Sequence, residues 1–112
     1  MQRFRFYNKE DVLTLTKIRR FETKLGERVQ LVNTREQFEQ MLEKSNAKYV
    51  LFGIPEDIGV KANGGVGGTN TAWFPFLNAF LNTQSSDFLQ GDEIMLLGHF
   101  DFSDVETLIE GN

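Results

Sequence analysis

The chain has 112 residues, of which 40% are apolar, 16 are acidic and 12 are basic, and it contains no cysteine. This composition suits one domain over residues 1–112. The net charge of −4 gives no positive surface of the kind that binds nucleic acid. The lack of cysteine excludes disulfides and zinc sites with thiolate ligands. No stretch approaches the roughly 20 apolar residues of a membrane span and the amino terminus lacks the apolar run of a signal peptide, so we expect no membrane partner and a cytoplasmic location.

The first predicted element is a helix over residues 8–25. Apolar residues recur there every three positions, Asn8 supplies a cap with Asp11 three residues later, and Gly26 supplies a stop. Four basic side chains cluster in the second half of this helix: Lys17, Arg19, Arg20 and Lys24. Because acidic residues lie among them, we expect a solvated helix face and not a phosphate-binding stripe.

Two strands and a second helix are predicted next. Alternation over residues 28–32 indicates a short strand, and a capping-box pattern over residues 34–37 begins a helix that ends near residue 45. The run at residues 49–52 is apolar at every position, which is typical of a strand in a parallel sheet covered by helices on both faces. Pro55 ends this strand.

The remaining elements follow a glycine-rich loop. A helix is expected over residues 71–82, with Thr71 as its cap and with Pro75 tolerated because it falls in the first turn. A second buried strand is predicted at residues 93–97, and a further capping-box pattern begins a last helix over residues 103–111.

The predicted order alternates helix and strand from end to end. Such an order favours an α/β fold with right-handed crossovers and a small parallel sheet that has helices on both faces. We expect residues 48–54 and 93–98 to be neighbouring parallel strands, joined by the helix over residues 71–82.

The glycine-rich loop is the main candidate for a site. The loop follows a strand and precedes a helix, which is where α/β proteins bind ligands. Its glycines permit positive φ and close approach of the backbone to another surface, and they lie at positions 53, 59, 64, 65, 67 and 68. A surface connection that needs tight turns is the alternative. A phosphate-binding loop is disfavoured, because neither GxGxxG nor Gly-Lys-Ser/Thr is present.

The run GIPEDIGVKANGGVGGTNTA, with YVLF before it and LLGHFDF at residues 96–102, resembles the amino-terminal part of the ureohydrolase family of arginases, agmatinases and formimidoylglutamases. The sequence Gly-Ile-Pro-Glu-Asp-Ile-Gly at residues 53–59 is most similar to the formimidoylglutamase-type branch. The resemblance implies a three-layer α/β/α fold with a parallel sheet and a hydrolase that cleaves a linear amidine or guanidine C–N bond with two manganese ions.

The family's metal motifs, Gly-Gly-x-His, Asp-x-His-x-Asp and Asp-x-Asp, do not occur in these residues. The only histidine, His99, lacks the preceding glycine pair, so we interpret it as an ordinary residue at a strand end. We therefore expect a truncated piece of the parent enzyme that is inactive alone and holds no metal ligand.

The resemblance gives roles to the loop. Glu56 and Asp57 are expected either to orient a cationic amidine or, as we favour, to hold the loop by accepting from its N–H groups. Lys61 and Asn63 are candidates for contacting a substrate carboxylate. Close backbone approach is expected at four glycines: Gly64, Gly65, Gly67 and Gly68. Val66 stands between the two glycine pairs, whereas arginase-like members tend to carry an arginine in the corresponding loop, so the resemblance does not determine how the substrate tail is recognised.

Two other functions are considered. The chain could be a non-catalytic α/β interaction module that acts through apolar helix faces, since Phe74, Phe76 and Phe80 fall in one run. A nucleotide-binding α/β protein is the weaker alternative, because the phosphate motifs fail. The family resemblance also allows a homo-oligomer.

Overall fold

Four strands form one mixed sheet, and three α-helices accompany it, within residues 3–54 and 72–101, which the computed structural model describes. The strands are β1 (Arg3–Phe6), β2 (Gln30–Leu31), β3 (Tyr49–Gly53) and β4 (Ile94–Asp101). The helices are α1 (Lys9–Leu15), α2 (Arg35–Lys44) and α3 (Trp73–Leu81), and 3₁₀ turns occupy Leu25–Glu27 and Gly91–Glu93. The predicted α/β class is confirmed.

β4 is the centre of the sheet. Met95 pairs with β2 and with β3, both parallel to β4, so these two strands lie on opposite edges of β4. Gly98 pairs with β3 and with β1, which is antiparallel, so β1 shares an edge with β2. No strand in the described part of the chain pairs with the outer edge of β3.

The strand predictions are partly correct. Residues 48–54 and 93–98 do contain neighbouring parallel strands, and α3 is the helix between them, as predicted. The prediction of a wholly parallel sheet is wrong, because β1 was not predicted and runs antiparallel. Its apolar residues alternate, and Phe4 and Phe6 pack on a buried cluster. β2 is shorter than the predicted strand over residues 28–32.

α1 begins as predicted but ends at Leu15, well before Gly26. The Asn8 side chain accepts from the amide of Asp11 at 2.8 Å, and the Asp11 carboxylate accepts from the amide of Asn8 at 3.0 Å, which completes a capping box. At the other end Thr16 is extended, and the Asn82 side chain donates to the carbonyl of Leu15 and accepts from the amide of Lys17, each at 2.8 Å, so a distant residue satisfies the backbone where the helix stops.

Residues 17–24 therefore lie in irregular chain, and the predicted solvated helix face is wrong. Three of the four basic side chains are exposed, whereas Lys24 is buried and donates from Nζ to Oδ1 of Asn82 at 3.4 Å. Phe21 has a left-handed backbone, with φ of 68°, and the guanidinium of Arg20 lies 4.9 Å from its ring centroid.

The starts of α2 and α3 agree in part with the prediction. The Thr34 hydroxyl accepts from the amide of Gln37 at 3.1 Å, but the Gln37 side chain accepts from the amide of Asn33, so only half of the capping box forms. Pro75 falls in the first turn of α3, as predicted. The predicted cap Thr71 and the predicted helix over residues 103–111 lie outside the described residues.

Alternate residues of β4 supply two buried clusters on opposite faces of the sheet. Leu96 packs with Tyr7, with Val12 of α1 and with Leu77 and Leu81 of α3, whereas Met95 and Leu97 pack with Val32 and with Phe38 and Met41 of α2. β3 is less covered, since Val50 and Phe52 are each 42% exposed. The predicted burial of this strand on both faces is wrong for the described residues.

Among the described helices, none has the length and apolar character that crossing a membrane requires.

Candidate functional site

A cavity of about 500 Å³ opens at the carboxyl end of β4, between β1, α1 and α3. Its polar lining includes Arg5, Tyr7, Asp11, His99 and Asp101, and its apolar lining includes Phe74, Leu77 and Leu81. Ligands of open α/β sheets bind in crevices at the carboxyl ends of parallel strands. This position and this mixture of polar and apolar side chains make the cavity the candidate functional site.

A chain of hydrogen bonds joins three elements at the edge of the cavity. Nε1 of Trp73, at the start of α3, donates to the Tyr7 hydroxyl at 2.8 Å, and that hydroxyl lies 2.6 Å from Nδ1 of His99 on β4. Because indole can only donate, the Tyr7 oxygen accepts from Trp73, and we assign the Tyr7 proton to the bond with Nδ1. His99 is then the neutral tautomer with its proton on Nε2.

Electrostatics agree with a neutral His99. Burial lowers the pKa of His99 and the positive charge of Arg5 lowers it further, while the carboxylate of Asp101 partly opposes them. Burial also raises the pKa of Tyr7, against the hydrogen bond from Trp73, so the phenol keeps its proton. Neither group is set up as a nucleophile; both are hydrogen-bonding groups.

Arg5 and Asp11 add an ion pair to the rim. Nη2 of Arg5 lies 3.2 Å from Oδ1 of Asp11, and the Arg5 side chain is largely exposed. Asp11 is held in place because its carboxylate also caps α1. The cavity therefore presents a guanidinium, a carboxylate and a neutral imidazole within one small volume, which suits a polar ligand that carries both donors and acceptors.

Two glycines allow the close packing around this site. Gly98 has φ of +146°, and a Cβ there would overlap the carbonyl oxygen of Arg5 on the paired strand. The register between β3 and β4 also shifts here, so that Leu97 is an extra residue on β4. A Cβ on Gly53 would overlap the indole ring of Trp73.

All the predicted residues of the substrate-side loop lie outside the described residues: Glu56, Asp57, Lys61, Asn63, Gly64, Gly65, Gly67 and Gly68. The structure does describe the residues on either side of that segment. Gly53, at the end of β3, lies against the indole of Trp73, at the start of α3, and Trp73 is bonded to the cavity residue Tyr7. The chain thus leaves β3 and re-enters α3 beside the candidate site.

His99 lies on β4 close to the strand's carboxyl end, where the sequence placed it. Its Nδ1 is bonded to Tyr7. Within residues 3–54 and 72–101, no three His, Cys, Asp or Glu side chains are grouped so that they could hold a metal ion. The residues that line the cavity therefore do not fit a manganese centre of their own.

Sequence reasoning missed Arg5, Tyr7 and Trp73 as site residues. The first two come from β1 and the residue after it, and the alternation of Arg3, Phe4, Arg5 and Phe6 was the signal for that strand. Trp73 was assigned only to the apolar run of α3. Nothing in the sequence indicates that its indole nitrogen meets a residue near the amino terminus.

Comparison of the chain with models of protein families, with curated proteins and with solved structures finds no match.

Proposed function

We propose that this chain is the amino-terminal part of a manganese-dependent ureohydrolase that cleaves a linear amidine or guanidine C–N bond. The formimidoylglutamase-like branch is the first choice of substrate class, with agmatinase and arginase as alternatives. The proposal includes the family's three-layer α/β/α architecture, a cytoplasmic location and two manganese ions in the whole enzyme. Its first support is the sequence resemblance over residues 48–102.

The observation that carries the proposal is the β3–α3–β4 unit beside the cavity. β3 and β4 are adjacent and parallel, and residues 55–71 connect the carboxyl end of β3 to α3. A segment that leaves a strand end in this position is well placed to contact a ligand. The close contact of Gly53 with Trp73 fixes both ends of the segment next to His99 and Tyr7.

In this proposal the chain contributes substrate binding. The loop would position the substrate, with Lys61 and Asn63 toward a carboxylate and with Glu56 and Asp57 holding the loop. Arg5 and the Nε2–H of His99 would offer hydrogen bonds from the cavity. Within residues 3–54 and 72–101 no three His, Cys, Asp or Glu side chains are grouped to hold an ion, so in this proposal the metal centre belongs to the rest of the enzyme.

The test uses the product of the complete source gene that contains these residues. Manganese-loaded protein is assayed with formimidoylglutamate, agmatine and arginine, and release of formamide or urea is followed. Turnover of one of them supports the proposal. Replacement of Gly67 and Gly68 by valine should then reduce turnover more than manganese content, because loop residues position substrate without binding metal. Equal losses of turnover and manganese content would show that the loop mainly supports the fold.

The 112-residue chain alone gives a second test. It should show no specific dinuclear manganese site in calorimetric titration and no hydrolysis of the same three compounds. Two tightly bound ions, or turnover that survives purification, would contradict the proposed division of labour between this chain and the rest of the enzyme.

A non-catalytic interaction module is the second candidate, and the exposed apolar surface favours it. Phe74 and Phe76 of α3 and three residues of β3 are large apolar side chains with substantial exposure. The reading frame after residue 112 discriminates the two candidates. Continuation into Gly-Gly-x-His and Asp-x-His-x-Asp motifs favours the enzyme, whereas a stop codon favours the module.

A further inference from the structure

The only histidine and the only tryptophan of the chain are linked through one buried hydroxyl. The Tyr7 oxygen accepts from Nε1 of Trp73 at 2.8 Å and lies 2.6 Å from Nδ1 of His99, and Tyr7 is 5% exposed. Among the residues that the structure describes, this hydroxyl has no third hydrogen-bonding partner. The protonation state of the imidazole therefore determines whether the Tyr7 oxygen can keep its bond with Trp73.

The bond from Trp73 holds the start of α3 to the sheet. Residues 72–76 contain no polar side-chain atom other than Nε1 of Trp73, and Ala72, which precedes the helix, provides no side-chain cap. The same indole ring lies against Gly53 at the end of β3, and its centroid is 5.8 Å from that of the Phe76 ring. Loss of the bond to Tyr7 would therefore leave this end of the helix without a side-chain hydrogen bond.

A proton added to His99 reverses the direction of its bond with Tyr7. In the neutral tautomer Nδ1 accepts and Nε2 carries the proton, so an added proton binds at Nδ1 and makes both nitrogens donors. The Tyr7 oxygen would then accept from His99 and from Trp73, and its own proton would have no acceptor among the described residues. A buried donor without a partner is unfavourable. Movement of one of the two donors lets the hydroxyl reach water, and because bonds from a charged donor are the stronger ones, Trp73 is the donor that moves.

We propose that protonation of His99 releases Trp73 from Tyr7 and loosens the start of α3, so that these three residues act as an acid-sensitive switch. In the closed state the cavity residue His99 is connected through two hydrogen bonds to the first residue of α3. In the open state that connection is absent. In the proposed enzyme the open state would weaken substrate positioning beside α3; this consequence rests on the proposed function, whereas the switch itself does not.

The groups around His99 set the pH at which the switch opens. The charged ones are Arg5 of β1, Asp101 of β4 and Asp11 of α1, which pairs with Arg5. From α3 and β3 the described neighbours are uncharged, the ring of Phe74 and a glycine. Burial and then Arg5 lower the pKa of His99, against the opposing effect of Asp101. The switch is therefore closed at neutral pH and opens below about pH 6.5, the ordinary value for histidine.

The fluorescence of Trp73 and the NMR signals of His99 test the proposal in the 112-residue chain, since each residue is the only one of its type. As the pH falls from neutral to about 5, tryptophan emission should shift to longer wavelength with the same midpoint as the histidine signals. Tyr7→Phe should abolish the emission shift, while His99 still titrates, with a higher midpoint because its neutral form has lost a hydrogen bond. Tyr49→Phe, on the exposed strand β3, is the matched control and should keep the shift. Circular dichroism checks that both variants are folded.

Amide hydrogen exchange gives a measure that needs no variant. The amides of Phe76 in α3 and Phe38 in α2 each donate to the carbonyl of the residue before their helix, at 3.1 and 3.0 Å. As His99 becomes protonated, the protection factor of the Phe76 amide should fall about tenfold or more, while that of Phe38 stays constant. Emission that does not follow the His99 midpoint, an emission shift that persists in folded Tyr7→Phe, as direct quenching by the imidazolium would give, or equal changes at the two amides would each overturn the proposal.

Discussion

β3 and β4 have similar sequences and different surroundings. Both are nearly continuous apolar runs, YVLF and IMLL, yet residues 94–97 of β4 are buried, while most of β3 is half exposed. β4 has partners on both edges, whereas β3 has a described partner on one edge only. An apolar run therefore predicts that a segment is a strand, but neighbours in the sheet determine how far it is buried.

The largest expected effect is the difference between truncations in the two strands. Leu96→Ala should lower the free energy of unfolding by about 2–5 kcal/mol, because Leu96 is fully buried among α1, α3 and Tyr7. Val50→Ala should cost less than about 1 kcal/mol, because much of that side chain is already in water. Urea denaturation of the two variants and of the unchanged chain measures both costs. Similar costs would mean that the two strands are equally covered.

Gly98 on β4 and Gly53 on β3 both lie beside the site and allow a second comparison of the two strands. Gly98→Ala should cost about 3 kcal/mol, since φ of +146° is a glycine conformation and the new methyl group meets the Arg5 backbone. Gly53→Ala should cost about 1–2 kcal/mol, because its new methyl group meets the Trp73 ring, a side chain that can shift. Trp73 is the only tryptophan, so its fluorescence should change more in the Gly53 variant. The reverse order of the two costs would contradict the strand geometry.

The chain's two tyrosines provide a further matched pair. Tyr7→Phe removes the hydroxyl that bonds Trp73 and His99, leaves two part-buried polar groups without that partner, and should cost about 1–2 kcal/mol. Tyr49→Phe, on the exposed strand β3, should change stability by less than about 0.5 kcal/mol. Equal effects of the two substitutions in thermal and urea unfolding would show that the hydrogen bonds of the Tyr7 hydroxyl do not stabilise the fold.

The smallest effect is expected from pH. The pKa of His99 is lowered in the folded chain, so protonation favours the unfolded state. The contribution of His99 should be fully present above about pH 6.5, the pKa of an unperturbed histidine, and should be lost as the pH falls through the lower folded pKa.

Unfolding midpoints between neutral pH and pH 5 measure this loss, and His99→Gln should remove it. The pKa of Glu93 is also lowered, first by the bond from the Gln90 backbone and then by Lys48, so its contribution is fully present above the ordinary carboxyl value of 4.5 and is lost as the pH falls through the lowered folded pKa. A profile that His99→Gln leaves unchanged would assign the pH dependence to other groups.

Local signals in the sequence identified much of the fold. The Asn8 and Asp11 pair predicted the start of α1, Pro75 was correctly placed in a first turn, and the runs at β3 and β4 predicted two parallel neighbours. The end of α1 was wrong because the Asn82 side chain bonds the carbonyl of Leu15 and the amide of Lys17 there, a contact between distant residues that the threefold apolar spacing does not reveal.

The site was much less predictable. Its described residues come from β1, α1, α3 and β4, and the bond from Trp73 to Tyr7 joins residues that are distant in the chain. Periodicity and caps report neighbours within a few positions, so they carry no information on such a contact. The glycine-rich segment was found because its composition is unusual, which predicted a location but not the side chains around it.

The central position of β4 has a consequence for how the protein is made. β4 is the last of the described strands to leave the ribosome, yet β1, β2 and β3 all pair with it and not with one another. The sheet cannot assemble during synthesis until residue 101 has emerged, and Phe4, Phe6 and the YVLF run remain without their native partners until then. Pairing over such sequence distances slows folding and leaves apolar segments open to aggregation, so the yield of the chain should depend on chaperones that bind nascent polypeptides.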